Sequence, residues 1–386
     1  MTLQKEFIKR FGTAREPIKI FASPGRVNLI GEHIDYNGGM VFPAGLDISM
    51  KMAIRKRTDN VLSFKSLDFD EDVKVSLNET IEYKRDYKWV NYLLGVLKEM
   101  MEGGCLIDKG FDVLFTSNIP TGAGLSSSAA LEVAFAYGIS DLYAFPMDKI
   151  QIATLCQRAE NRFVGVQCGI MDQFAVAMAK KDHAIMLNCH TLDYQYVPLL
   201  LGDYKIVITN TNKKRELVDS KYNQRLKECQ YGLERIQKYM DIPNLCSMTS
   251  KHLDGYMQYI DDPIVQRRVR HVVNENERVK HAAEALKKND LMQFGALMVS
   301  SHISLRDDYE VTGFELDTLF EEASKIEGCI GTRMTGAGFG GCNVSLVHKA
   351  QLKDFQQRVY EKYTERTQLE PLFYTCEAGE GVRQTE

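Results

Sequence analysis

A chain of 386 residues is longer than one hydrophobic core usually organises, so two packed domains with room for a ligand cleft are expected. Its 48 Lys and Arg against 52 Asp and Glu give a net charge of -4, without the basic excess that a nucleic-acid partner demands. The nine cysteines are odd in number, scattered and free of any CxxC pair, which argues against a disulfide framework or zinc site and for a reducing, cytoplasmic setting.

In chain order, the opening MTLQKEFIKRFG mixes charges with apolar residues, unlike an export signal. No apolar run reaches the ~18 to 20 residues of a membrane span. Small residues concentrate in three stretches, Ser23 to Gly45, Pro120 to Ala130 and Gly331 to Gly341, which are read as the working loops. Ahead of the second, GFDVLFTSNIP reads as a strand running into a turn at Pro120. SSSAALEVAFAYGISDLYA then has helical spacing, with Ser126 or Ser127 as N-cap. A further helix is expected from about Met147 to Asn161, presenting Glu160 in its last turn. YKIVITNTN reads as a strand, followed by a long charged amphipathic helix to about Met240. Helices at Asp262 to Lys288 and Asp290 to Ser301 precede strands near CNVSLVHK and PLFYTCE. The class is α+β without convincing βαβ repeats, and the lobes are expected to divide into 1–195 and 196–386.

Each glycine-rich stretch suggests a chemistry and has a plainer alternative. In PTGAGLSSSAALE, glycines let backbone N–H groups converge just before a helix N-terminus, a geometry that favours phosphate; the alternative is a Gly/Ser turn capping a helix. The Walker lysine is absent. Gly336, Gly338 and Gly341 have GxGxxG spacing, but CNVSLV after them alternates like a strand, and neither HRD nor DFG occurs, so dinucleotide-fold and protein-kinase readings fall. A glycine hairpin able to press on a ligand remains, against a tight strand turn. In SPGRVNLIGEHIDYNGGMVFPAG, Arg26, Glu32, His33 and Asp35 crowd together; they suit a polyhydroxylated ligand, or are the solvated charges of a surface loop.

GRVNLIGEHIDYNGG resembles the galactokinase signature, and the three stretches together resemble the motifs of the galacto-, homoserine, mevalonate and phosphomevalonate (GHMP) kinase superfamily, in the right order. GVQCGIMDQFA at 165–175 and NKKRELVDSKYNQR at 212–225 also look like galactokinase segments. The resemblance implies two lobes, the first like ribosomal protein S5 domain 2 and the second an α/β sandwich, with the active site between them. It implies transfer of the γ-phosphoryl group of ATP to the anomeric hydroxyl of galactose, with magnesium. The rivals are an N-acetylgalactosamine or other sugar-1-kinase, and a non-catalytic galactose sensor; the intact SSSAALE, Asp172 and Glu160 favour an enzyme.

By the same resemblance Asp172 takes the sugar hydroxyl proton with Arg26 beside it, and Glu32, His33, Ile34, Asp35, Gly169 and Tyr222 contact the sugar. Gly122, Ala123, Gly124, Leu125, Ser126, Ser127 and Ser128 cradle the phosphates, Ser128 and Glu160 hold the metal ion, and Ser66 and Trp89 lie where the family places nucleotide contacts. Glu132, one turn beyond Ser128, is read as helix surface or as support behind the site. Galactose and ATP are the expected partners, and a monomer is expected. Cys168 and Cys342 lie inside the motifs, so alkylation there is expected to inhibit.

Overall fold

The computed structural model describes residues 2–120, 124–213 and 218–385. The first half runs α1 (Leu3–Phe11), β1 (Lys19–Asn28), β2 (Met40–Val41), β3 (Pro43–Lys56), β4 (Val61–Ser66), β5 (Val73–Ser76), α2 (Val90–Glu102), β6 (Phe111–Ser117), α3 (Ser127–Leu142), α4 (Lys149–Ala159), α5 (Met171–Met178), β7 (His183–Asn188) and β8 (Tyr194–Pro198). The second continues with β9 (Tyr204–Asn210), α6 (Val218–Gln237), α7 (Ser250–Tyr256), α8 (Pro263–Lys287), α9 (Leu291–Ser304), α10 (Phe314–Ser324), β10 (Cys329–Thr335), β11 (Cys342–His348), α11 (Leu352–Thr367), β12 (Leu372–Cys376) and β13 (Arg383–Gln384).

The first lobe is built on a sheet of order β13-β1-β3-β6-β4-β5, antiparallel except where β4 runs alongside β6. Buried residues fill nearly all of β1, so both its faces are covered, as an interior strand requires. Against it lies α3, whose SSAALEVAFAYGISDL is apolar on almost every side; such a helix is stable only when surrounded, and α2, α4 and α5 pack around it. A small sheet of order β2-β7-β8 closes this lobe.

The second lobe is α/β: the antiparallel sheet β10-β11-β9-β12 packs against α9, α10 and α11. One apolar core extends through both lobes, from Phe21 to Val382, which fuses them into a single body.

The expected division at residue 195 cuts through β8, whose Tyr194 to Pro198 hydrogen-bonds to β7 of the first lobe. The second sheet starts only at β9, and the chain returns at its end to add β13 to β1. A cut between β8 and β9 separates no strand pair but β13–β1; one at 195 also divides β8.

Candidate active site

A register shift between Pro24 and Arg26 bends β1 where it passes the serine turn, and a bulge of this kind re-aims the following side chain. The Arg26 backbone N–H donates to Leu125 O at 3.2 Å. Its guanidinium donates from Nη1 to Gly124 O at 2.7 Å and from Nε to Asp172 Oδ1 at 2.8 Å, with Nη2 2.7 Å from the same carboxylate oxygen. Arg26 is 4% exposed, so this ion pair is shielded more than a surface one.

Ser126 stands just ahead of α3 in the left-handed region at φ 56, and its hydroxyl caps no helix N–H. It donates instead to Asp172 Oδ2 at 2.6 Å. Asp172 occupies the first turn of α5, where the helix dipole favours an anion. The aspartate, the arginine and the serine turn thus converge at one point. Gly122 and Ala123, expected in the phosphate cradle, lie outside the described residues.

Two cavities lie beside this junction, one lined by Asp172 and Arg26 and the other by Ser127 and Ser128. One, of about 190 Å³, is lined by Arg26, Glu32, His33, Asp35, Tyr36, Glu160, Gly169, Asp172 and Tyr222, with Gly336 and Ala337 from the glycine hairpin. The other, of about 560 Å³, is lined by Ser66, Phe69, Trp89, Phe115, Ser127, Ser128 and Leu131, with Tyr374 from β12. Ser127 and Ser128 face the second cavity, while Ser126 bonds toward the first.

The small crevice is held by bonds that cross the lobes. Glu32 Oε1 accepts from Gly336 N at 2.8 Å and Thr335 Oγ1 at 3.1 Å, with Arg333 Nη1 at 3.5 Å. The α8 side chains His271, Glu275 and Asn276 grip the loop backbone at Glu32 O, Gly31 N and Met40 N, at 3.1, 2.9 and 2.8 Å. Burial would raise the Glu275 carboxyl, yet Arg278, His271 and Arg333 hold it down at about 2. Gly169 is glycine because a Cβ there would sit 2.0 Å from Asp35 Oδ2. Burial and then the Asp172 charge push Asp35 up to about 7.

Other expected contacts behave differently. His33, at φ 63, donates from Nε2 to Ala337 O at 3.1 Å, so its Nδ1 is the acceptor for the Tyr36 hydroxyl at 2.7 Å. Burial, then the His271 charge, push it down to about 3, and the neutral ring has both nitrogens occupied by protein. His33 shapes the crevice wall with its ring. The Ile34 side chain is wholly buried in the core and does not line the crevice; its carbonyl accepts from Asn37 and Gly39. Leu125 is likewise buried in the core.

Glu160 ends α4, where the helix loosens into a π-turn at Glu160–Val164, and burial followed by the Asp172 charge raise its carboxyl to about 7. Glu132 is not on a helix surface: it is 0% exposed beside Glu160. An acid in the middle of a helix apolar on almost every face was the signal for this. The α8 grip left no such signal, because His271, Glu275 and Asn276 sit in a strongly charged segment. Burial drives the Cys168 thiol far above its ordinary range and Cys342 is fully enclosed, so neither presents the thiolate that alkylation needs.

Residues 91–180 match the GHMP kinase N-terminal domain and 282–365 the GHMP kinase C-terminal domain. A mevalonate kinase crystal structure shares this fold, with a TM-score of 0.69 at 18% identity over 95% of this chain and 99% of that one. Within the class, residues 5–56 match the galactokinase galactose-binding signature. The galactokinases of Clostridium perfringens and Clostridium tetani are 48% and 50% identical, over 98% of this chain and 98% and 96% of theirs. The crystal structure of Lactococcus lactis galactokinase complexed with galactose superposes with a TM-score of 0.96 at 42% identity, covering 99% of each chain. The chain belongs to the galactokinase family of ATP-dependent sugar kinases.

Proposed function

We propose that this chain transfers the γ-phosphoryl group of ATP to the C1 hydroxyl of D-galactose, giving galactose 1-phosphate and ADP, and that the reaction is centred on Asp172. The carrying observation is the Arg26–Asp172–Ser126 junction between the crevice and the larger cavity, because phosphoryl transfer needs acceptor and donor on opposite sides of one charged point. Sugar bound in the crevice places its C1 hydroxyl against Asp172, which takes the proton as the new O–P bond forms. Arg26 holds that carboxylate in place and puts positive charge where the equatorial phosphoryl oxygens gather negative charge. Glu32, Asp35, the Gly169 backbone and Tyr222 read the orientation of the remaining hydroxyls, and Ser66 and Trp89 hold the nucleotide.

Ser128 and Glu160 are the proposed magnesium ligands. The donors are hard oxygens, and Gln173 Oε1 beside Glu160 is buried without a hydrogen-bond partner, an environment that suits a hydrated cation. When bound, magnesium neutralises phosphate charge. Among the described residues no group of three His, Cys, Asp or Glu could hold a metal ion by itself, so nucleotide oxygens complete the shell. The reading extends to a monomer in the cytosol. None of the nine cysteines forms a disulfide, which suits a reducing compartment, and no described helix is long and apolar enough to cross a membrane.

ADP release measured over a sugar panel tests this. Galactose is expected to turn over, with glucose and N-acetylgalactosamine far behind; equal kcat/KM for galactose and either rival would overturn the assignment.

A further inference from the structure

Behind Glu160 lies a polar cluster that the reaction as described does not use. Gln173 and Glu132 are 1% and 0% exposed. Gln173 Nε2 donates to Glu160 Oε2 at 2.7 Å and reaches Glu132 Oε2 at 3.5 Å. One amide therefore bridges two buried carboxyl groups, and Gln173 follows Asp172 directly on α5. Its own Oε1 is buried without a hydrogen-bond partner, whereas the Glu132 carboxyl, held well above its usual range by burial and then the Glu160 charge, shares a hydrogen bond with Glu160.

A cluster that only tied α3, α4 and α5 together would be expected to satisfy its own members, or to be replaced by apolar groups. This one leaves Gln173 Oε1 without a donor and presses two carboxyl groups together, so that burial and then the Glu160 charge hold the Glu132 carboxyl well above its usual range. Glu132 stands four residues beyond Ser128 and so shares its helix face, while Glu160 is the carboxylate next to the crevice. The unfilled acceptor and the Glu132 carboxyl thus lie behind the proposed metal ligands.

We propose that Gln173 and Glu132 are positioning residues for the magnesium ion: the Gln173 amide fixes the carboxylate of Glu160, and Glu132 anchors that amide from behind. The proposal rests on the reading of Glu160 as a metal ligand. It adds that the residue after Asp172 sets metal affinity, so that the proton acceptor and a metal ligand are placed by adjacent positions of one helix. Ligands held by outer hydrogen bonds typically lose about 10- to 100-fold in metal affinity when the outer partner is removed.

The test is titration with Mn²⁺, followed by electron paramagnetic resonance of the free ion, of full-length protein carrying galactose and a non-hydrolysable ATP analogue. Gln173→Met, which keeps length and loses the amide, should weaken Mn²⁺ binding roughly 10- to 100-fold. Glu132→Gln should weaken it less, in the same direction, and galactose affinity should hold in both. A fall in melting temperature with unchanged Mn²⁺ affinity would show packing alone and overturn the proposal. Should Gln173→Met not fold, Glu132→Gln decides, and wild-type Mn²⁺ affinity in it is the overturning result. Glu160→Gln separates the two levels: if it loses Mn²⁺ while the other variants keep it, only this inference fails; if it keeps Mn²⁺, the ligand assignment fails and this inference with it.

Discussion

The crevice and the larger cavity lie on either side of the Ser126–Asp172 contact but are walled in opposite ways. The crevice, about 190 Å³, is shaped by carboxylates, a histidine and tyrosines, and hydrogen bonds from α8 and β10 in the second lobe hold its loop. The other, about 560 Å³, is walled mainly by first-lobe apolar and aromatic groups: Trp89 stacks on Phe69 at 6.5 Å and meets Phe115 edge-on at 6.0 Å. Polar walls discriminate sharply, since a wrong hydroxyl strands a buried partner at about 1–3 kcal/mol. Apolar walls give graded losses. Changes at the junction should therefore stop chemistry, changes in the crevice should cost sugar affinity and fold together, and changes in the larger cavity should touch the nucleotide alone.

The largest effect is expected at the junction. Asp172→Asn keeps the shape but gives up the proton acceptor and one of the two oxygens that accept from Arg26 and Ser126, so kcat should fall by roughly 10² to 10⁴. Galactose and nucleotide dissociation constants, measured by calorimetry, should hold. Near-normal kcat would remove Asp172 from the mechanism.

Next comes the bond across the lobes. Arg333 is 0% exposed, and its Nε and Nη2 already lack partners. Glu32→Ala would strand this cation, and breaking a buried pair of this kind costs about 3–5 kcal/mol. Urea unfolding should show that loss together with a higher galactose KM, while nucleotide binding stays as it was. An unchanged unfolding midpoint would mean the clamp carries no strain between the lobes.

On the nucleotide side the effect is smaller. Trp89→Ala removes the ring that touches Phe69 and Phe115, worth about 1.4 kcal/mol in a stacking wall, or roughly tenfold in the KM for ATP. The galactose KM should not move. A shift in the galactose KM instead would assign the cavities the wrong way round.

How much of this was legible in the sequence follows the same contrast. Arg26, Asp172 and the serine turn could be read because each sits in a short string whose glycines and charges have a local purpose. The strands and helices that carry them were legible from period and turn residues, as at GFDVLFTSNIP and the helix after it. Contacts made by distant side chains on backbone were not: Glu275 meets Gly31 across 244 positions, and nothing in either segment names the other. The His33 bond to Ala337 was hidden for a related reason, since it spans 304 positions. The expected division at 195 falls inside β8, and β13 returns to β1 wherever a single cut is made, a closure that no local pattern announces.

Asp35 offers the finest test of the polar crevice. Its carboxyl, raised to about 7 by burial and by Asp172, holds a proton in the unliganded protein at pH 6 that the unfolded chain, near 3.8, has given up. The sign follows: this group's stabilising share is complete below about 4 and is lost as pH rises through 7. Sugar hydroxyls donating to Asp35 favour the carboxylate, so galactose binding near pH 6 should expel up to about one proton. Calorimetry in two buffers of different ionisation heat counts that proton, and Asp35→Asn should bring the count to zero. Proton uptake on binding would mean that burial by the sugar outweighs its hydrogen bonds, and Asp35 would then be a wall of the crevice rather than a reader of hydroxyls.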